Sequence, residues 1–212
     1  MLRVYTADIS GLPDQPVKLP LSSYRLAQLS SCRSPQKRRQ GIGAELLLIH
    51  ALRSWKGDFA LPLMLKTEPD GKPLLSGSPI HFSLSHSGEI VACALCDAPV
   101  GIDVETERPL KEPLLRRCFS ERERRLILES EHPAASFTAL WTRKESYLKA
   151  TGEGLRSLGK IDLCNPPEDA FFYAMQQGEL HLSVCVLGQP AVPERVEKVA
   201  LLNTFHDCLS RK

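Results

Sequence analysis

The 212-residue sequence lacks any apolar run near the ~20 residues that a membrane-spanning helix requires. The opening residues, MLRVYTADIS, also lack the apolar segment and cleavage site of a secretory signal. The sequence also has little net charge, because 27 Lys and Arg residues are offset by 25 Asp and Glu residues, which leaves +2. We therefore expect no membrane association and no nucleic-acid partner, and any anion site must be local.

The sequence has one closely spaced pair of cysteines and lacks a second. The seven cysteines are scattered and odd in number, which is typical of a reducing compartment and predicts a cytoplasmic protein. Cys93 and Cys96 form a C-x-x-C, but nothing supplies the other ligands of a zinc site. Because a strand directs positions three apart to opposite faces, we expect both to pack in the core.

Hydrophobic periodicity predicts a chain of mixed helices and strands. Alternation over residues 80–85, the apolar run 90–96 and the segment 101–105 predict three neighbouring strands. Ser34-Pro35 and the Ser120/Glu123 capping box are typical helix starts. The predicted helices cover residues 22–31, 34–55, 120–130 and 134–150. Further strands are predicted at residues 2–9, 154–164 and 180–187, and the residues from 193 fit either state.

Two carboxylates lie close together in the segment GIDVE. Asp103 and Glu105 are two residues apart, so a strand directs both to one face. Like charges this close raise each other's pKa unless a cation joins them, and oxygen ligands of this kind suit magnesium. A solvated strand end would carry the same pattern, and the pentapeptide alone does not decide between the two.

A second group of charges lies in the segment WTRKESYLK. At about 100° per residue, Lys144 falls on the apolar stripe of its helix, where it must find an anion or a route to water. Glu145 and Lys149 lie side by side along one edge of that stripe. They form either part of a site or an ordinary i,i+4 ion pair that stabilises the helix by ~0.2–0.5 kcal/mol.

Other polar residues are candidate anion ligands. Ser85 and His86 end a strand before a probable Ser-Gly turn, although a lone histidine is more often a polar core residue. Residues 37–39 form a basic cluster near a helix start, which fits either a phosphate clamp or a solvated face. Lys72 follows the turn Glu68-Pro69-Asp70-Gly71, whose Pro and Gly favour a tight reversal.

In chain order these segments resemble the Sfp-type 4′-phosphopantetheinyl transferases of the holo-acyl-carrier-protein synthase superfamily. The matching segments are RQGIG (39–43), GKP (71–73), FSLSHSG (82–88), GIDVE (101–105), FS (119–120) and W-x-x-KE-x-x-x-K (141–149). The match covers residues 39 to 155. The pair GIDVE and W-x-x-KES-x-x-K, some forty residues apart, is specific, whereas either alone would be weak.

The resemblance implies an enzyme that transfers the phosphopantetheine arm of coenzyme A to a serine of an apo acyl or peptidyl carrier protein. The nucleophile then belongs to the partner, which explains why the chain shows no Ser-His-Asp arrangement. The implied fold is α+β, with two similar halves related by a pseudo-twofold axis and a cleft between them. We expect subdomains at residues 1–98 and 99–212 and a monomer. The stretch between residues 105 and 121 either contacts the carrier or is a Pro-bounded loop and short helix that packs on its own domain.

The resemblance also implies roles for individual residues. Asp103, Glu105 and Glu145 would hold Mg²⁺. Glu145 would also accept the proton of the carrier serine, directly or through water. Lys149 and His86 would stabilise the phosphates, and Arg39, Lys72 and Ser85 would contact the nucleotide. Which of Arg33, Lys37 and Arg38 touches coenzyme A stays open, and Lys144 is interpreted as organising the carboxylates.

Two other functions are compatible with the same residues. A magnesium-dependent nucleotide phosphohydrolase would use clustered carboxylates with an activated water and no carrier. A non-catalytic module that binds coenzyme A or the carrier would keep the phosphate contacts but is expected to lose at least one of Asp103, Glu105, Glu145 and Lys149. All four are present.

Overall fold

The computed structural model describes residues 1–15, 18–57, 59–67 and 71–201. The predicted turn residues Glu68, Pro69 and Asp70 lie outside these ranges, as does Cys208. The strands are β1 (Leu2–Asp8), β2 (Leu65–Thr67), β3 (Pro73–Leu75), β4 (His81–Ser87), β5 (Ile90–Cys96), β6 (Val100–Thr106), β7 (Ala170–Gln177), β8 (Leu180–Leu187) and β9 (Val196–Val199). The helices are α1 (Ser23–Ser31), α2 (Pro35–Lys56), α3 (Glu112–Cys118), α4 (Glu121–Leu128) and α5 (Pro133–Thr151), with a 3-10 helix at Leu155–Lys160.

The first sheet has the strand order β4-β5-β1-β9 and packs against α2. The Ser34 side chain caps α2 by accepting the backbone N–H of Lys37, and Pro35 begins the helix as its sequence predicts. Apolar side chains of α2, among them Leu46, Leu47 and Leu52, are completely buried in the first core. β9 is the exception to antiparallel pairing, because it lies parallel to β1 and comes from the far end of the described chain.

The second sheet has the order β6-β8-β7, and α5 packs across it. Gly101 allows the close approach of α5 to β6. A Cβ at this position would lie 1.9 Å from the carbonyl oxygen of Ser146 and 2.5 Å from the backbone nitrogen of Ala150. The helix that carries Glu145 and Lys149 is therefore held directly against the strand that carries Asp103.

The α+β prediction is confirmed, and one topology occurs twice. The series β1-α2-β4-β5 and β6-α5-β7-β8 have the same element order. In each series the first and second strands both pair antiparallel with the third. The division at residue 98 stays a prediction; it falls between β5 and β6, and β9 returns to the first sheet.

Several sequence predictions of local structure are wrong. The segment 101–105 does form a strand, but in the second sheet rather than beside β5. Most of residues 154–164 form the 3-10 helix and coil instead of a strand, because Lys144 binds the carbonyl oxygens of Leu158 and Ile161. The strands β2, β3 and β7 were not predicted.

The buried C-x-x-C is structural, as predicted. Cys93 lies in the core between the first sheet and α2, whereas Cys96 lies in the core between the two sheets. Both thiols are free. Burial raises the pKa of each thiol, so neither is a reactive thiolate.

Candidate active site

Asp103 lies at the centre of a polar site where β4, β6 and α5 meet. Its side chain is buried, and Oδ1 accepts hydrogen bonds from the Ser85 hydroxyl at 2.7 Å and from the Lys149 ammonium at 2.7 Å. Within the described chain, Oδ2 is buried and has no hydrogen-bond partner. A buried carboxylate oxygen without a partner costs ~1–3 kcal/mol or more, which marks this atom as available to a ligand.

Helix α5 brings two charges of the predicted motif to Asp103. The Lys149 ammonium lies 2.7 Å from Asp103 Oδ1 and 3.9 Å from Glu145 Oε2. The shorter contact is the one between elements, so the pair is more than an i,i+4 helix contact. The sequence prediction that residues 103 and 145 share a site therefore agrees with the geometry.

The three carboxylates repel one another. Burial, followed by the charge of Asp103, raises the pKa of Glu145 to about 7, and Lys149 opposes this only in part. Burial also raises the pKa of Glu105, with Asp103 again contributing, while the Ser87 hydroxyl lowers it. One lysine therefore does not neutralise the cluster, and a further cation would be favourable here.

The side chains of this site fit a magnesium ion, although they do not surround one position as they stand. Among the described residues, no group of three or more His, Cys, Asp or Glu side chains is arranged to hold a metal as it stands. The Lys149 ammonium lies between Asp103 and Glu145. A cation would stabilise this cluster, because Asp103 Oδ2 is buried without a described partner and the pKa of Glu145 is raised. Both groups offer oxygen atoms, which Mg²⁺ prefers as ligands.

A cavity of about 370 Å³ opens beside this cluster, between the two halves. Arg25, Lys72 and Lys149 contribute positive charge to its wall, and Glu145 is the one carboxylate among the described lining residues. His86 also lines it. The pKa of His86 is lowered mainly because surrounding atoms exclude water from the ring, and secondly because of the Lys149 charge. The residue as a whole is nevertheless exposed. The ring is therefore neutral at pH 7 and can donate one hydrogen bond to an anion.

Of the two predicted nucleotide contacts, Lys72 lies at the cavity, whereas Ser85 lies in the carboxylate cluster and is not among the described residues that line the cavity. The Lys72 ammonium lines the cavity and donates to the carbonyl oxygens of Val100, Lys149 and Ala150, which joins β3, β6 and the end of α5. Ser85 is buried and binds both Asp103 and Lys149.

The basic cluster at the start of α2 is placed differently. Arg39 is not among the described residues that line the cavity; its Nη2 lies 3.3 Å from Glu89 Oε1. Arg38 pairs with Asp14 at 2.8 Å, and Arg33 and Lys37 are exposed. A ligand contact by Arg39 would therefore compete with the Glu89 pair.

Sequence reasoning missed Arg25, which comes from α1 and reaches the cavity. Its Nε lies 3.5 Å from Glu45 Oε2, and Glu45 is buried in α2. The available signal was Glu45 itself, a glutamate within the apolar run AELLLIHAL, which requires a buried partner.

Lys144 belongs to another part of the molecule, and the interpretation that it organises the site carboxylates is wrong. Its completely buried ammonium lies 2.6 Å from Glu123 Oε2 and donates to the carbonyl oxygens of Cys118 and Ile161. Glu123 also accepts the backbone N–H of Ser120 and of Leu163. Lys144 therefore anchors α3, α4 and the 3-10 segment to α5.

Comparisons with known proteins give one consistent family. A model of the 4′-phosphopantetheinyl transferase superfamily matches residues 99–197. The chain is 38% identical over 123 residues to the 4′-phosphopantetheinyl transferase psf-1 of Bacillus pumilus, an alignment that covers 55% of this chain and only 52% of that protein. It is 34% identical over 164 residues to HetI of Nostoc sp., covering 73% and 69% of the two chains. It is 33% identical over 174 residues to AcpT of Salmonella typhi, covering 78% and 86%.

In the described residues no helix is both long and apolar enough to span a membrane.

Proposed function

The chain belongs to the 4′-phosphopantetheinyl transferase superfamily, and we propose that it transfers phosphopantetheine from coenzyme A to a serine of an apo carrier protein. The observation that carries this proposal is the convergence of Asp103, Glu145 and Lys149 beside a cavity with cationic walls. The serine oxygen forms a bond to the β-phosphorus of coenzyme A. The bond from that phosphorus to the bridging oxygen breaks, which releases adenosine 3′,5′-bisphosphate.

Coenzyme A would lie in the cavity between the halves. Arg25, Lys72 and Lys149 balance the phosphate charge, and the neutral His86 ring donates to a pyrophosphate oxygen. Ser85, which was predicted to contact the nucleotide, is buried and is not among the described residues that line the cavity, so its proposed role is to hold Asp103. Arg39 is retained as a contact to the 3′-phosphate only if its pair with Glu89 opens.

Asp103, Glu105 and Glu145 are the residues that would hold Mg²⁺. When bound, the ion offsets charge that develops on the phosphate oxygens during transfer. The support from this structure is the unpartnered Asp103 Oδ2 together with the raised pKa values of Glu105 and Glu145.

Glu145 is the proposed acceptor of the serine proton. Lys149 and the nearby Trp141 side chain lower the pKa of this carboxyl, against the larger effects of burial and Asp103. Without a metal its pKa is about 7, and a bound cation would lower this pKa, so the group would be ionised and able to accept a proton at neutral pH. Lys149, between Glu145 and Asp103, is placed to stabilise the departing bisphosphate.

The carrier is proposed to dock beside the site, on the segment after β6. A groove of about 110 Å³ begins at Glu105 and includes Arg108, Lys111, Leu114 and Trp141. Its basic rim suits an acidic carrier, and its apolar floor suits a helix. Leu115, which the sequence placed in this surface, is buried in the core and contributes nothing to it.

We also propose a monomeric, cytoplasmic protein. The two halves line one cavity together, so a single chain supplies every proposed residue. The cysteines in the described ranges are all unpaired, which fits a reducing compartment.

The test is incubation of the full chain with coenzyme A, Mg²⁺ and a panel of apo carrier proteins, followed by mass spectrometry. We expect a carrier to gain the mass of phosphopantetheine. Release of bisphosphate with unmodified carrier would indicate a phosphohydrolase instead, and tight coenzyme A binding without turnover would indicate a binding module. A panel from fatty acid, polyketide, nonribosomal peptide and siderophore assembly would identify the pathway.

A further inference from the structure

Three serines on β4 close the open edge of the second sheet. Ser83, Ser85 and Ser87 alternate along the strand, and their hydroxyls accept the backbone N–H groups of Ile102 at 3.0 Å, Val104 at 3.3 Å and Thr106 at 3.2 Å. On its other side β6 pairs with β8. These contacts, here called the serine ladder, join the two sheets without backbone-to-backbone pairing.

Each hydroxyl has one hydrogen left to donate, and two of the three give it to the carboxylates of the site. Ser85 donates to Asp103 Oδ1 and Ser87 donates to Glu105 Oε2, both at 2.7 Å. For Ser83 no carboxylate partner is found in the described part of the chain. Ser87 is buried, so its hydroxyl has little freedom to choose another acceptor.

The ladder therefore sets which carboxylate oxygen is occupied. At Asp103 the serine and lysine contacts both use Oδ1, and Oδ2 is left buried without a described partner. At Glu105 the Ser87 contact uses Oε2, which also lies 3.2 Å from the exposed Arg108 guanidinium. One oxygen of each carboxylate is thus held by protein groups, and the strand backbone fixes the serine that holds it.

We propose that Ser87 is a positioning residue of the metal site: anchored by the Thr106 N–H, it orients Glu105 for Mg²⁺ as Ser85 orients Asp103. The inference rests on the proposed function, because it takes Asp103, Glu105 and Glu145 as the ligands. Groups that orient a metal ligand typically affect metal affinity by about 10–100-fold when they are removed.

The chain offers a matched control. Ser87→Ala removes one ladder contact and the Glu105 contact, whereas Ser83→Ala removes one ladder contact alone. Calorimetric titration of the full chain with Mg²⁺ alone should show a dissociation constant raised about 10-fold or more by S87A and changed less than about twofold by S83A. The two thermal midpoints should fall by similar amounts. At saturating Mg²⁺, S87A should recover most of its kcat, with the KM for coenzyme A unchanged.

Equal Mg²⁺ affinity in S87A and S83A would overturn the proposal, even if both variants lose stability. If S87A does not fold, Ser87→Cys gives the same comparison, since its thiol keeps the size but donates only weakly. A wild-type protein that transfers phosphopantetheine while S87A leaves Mg²⁺ binding intact refutes the positioning role alone. A wild-type protein that neither binds Mg²⁺ nor transfers the group refutes the proposed function together with this inference.

Discussion

Glu145→Gln should make the metal-free protein more stable at pH 8. The folded protein raises the pKa of this carboxyl from 4.5 to about 7, through burial and then through Asp103. A raised pKa means that the contribution of Glu145 to stability is present below pH 4.5 and is lost as the pH rises through 7. The loss corresponds to about 3 kcal/mol, or roughly 6–12 °C for a chain of this size. Glutamine keeps the size of the side chain and removes the charge.

The assay is urea unfolding in EDTA at pH 5 and pH 8, repeated with Mg²⁺. Wild-type stability should fall between the two pH values by more than that of E145Q, and Mg²⁺ should stabilise only the wild type at pH 8. Glu131→Gln, which changes an exposed carboxylate away from the cluster, should follow the wild type in every condition. An E145Q protein that is less stable than the wild type at pH 8 in EDTA would refute the electrostatic account of the site. E145Q should also lose most turnover.

Three further predictions concern other residues. Arg25→Ala should raise the KM for coenzyme A about tenfold or more with little change in kcat, because it removes a cation from the cavity wall. Arg39→Ala should raise KM less, and most clearly for coenzyme A that carries its 3′-phosphate. A larger increase in KM for Arg39→Ala than for Arg25→Ala would assign the phosphate contact to Arg39. Lys144→Met should destabilise the fold by about 3–5 kcal/mol, since Glu123 is left charged and buried, and adding Glu123→Gln should restore part of the loss in urea unfolding; no recovery would show that Lys144 acts through packing alone. Gly101→Ala should cost about 1–3 kcal/mol or more, because its Cβ has no space beside Ser146, and a variant with unchanged stability and activity would show that α5 can move away freely.

Local sequence signals predicted much of the fold. The alternation in β4 and the Ser34 and Ser120 caps depend on neighbours in sequence, and the structure has the strand and both helix starts where they were predicted. Alternation with a period of two shows which face of a strand is buried, but it does not identify the strand that pairs with it in the sheet. The segment 101–105 was therefore recognised as a strand and assigned to the wrong sheet.

Nonlocal contacts account for what the sequence did not reveal. The 3-10 segment follows from a buried lysine on another element, and β7 has a mixed burial pattern without clear alternation. Arg25 has no motif of its own, and its position depends on Glu45, twenty residues later. In the site, the family resemblance implied that Asp103, Glu145 and Lys149 belong together, and Lys149 contacts both carboxylates. The serine ladder, in contrast, required knowledge of which sheet edge β4 approaches.

The parallel pairing of β9 with β1 has a consequence for biosynthesis. When the ribosome has released the first hundred residues, β1 can pair with β5, but its other edge stays open because Val196–Val199 have not yet been made. Val199 and Leu201 also belong to the core beneath α2. The nascent first sheet would therefore expose a strand edge and part of its core until residues 196–201 have been made, and contact with a chaperone is expected to matter most before that point.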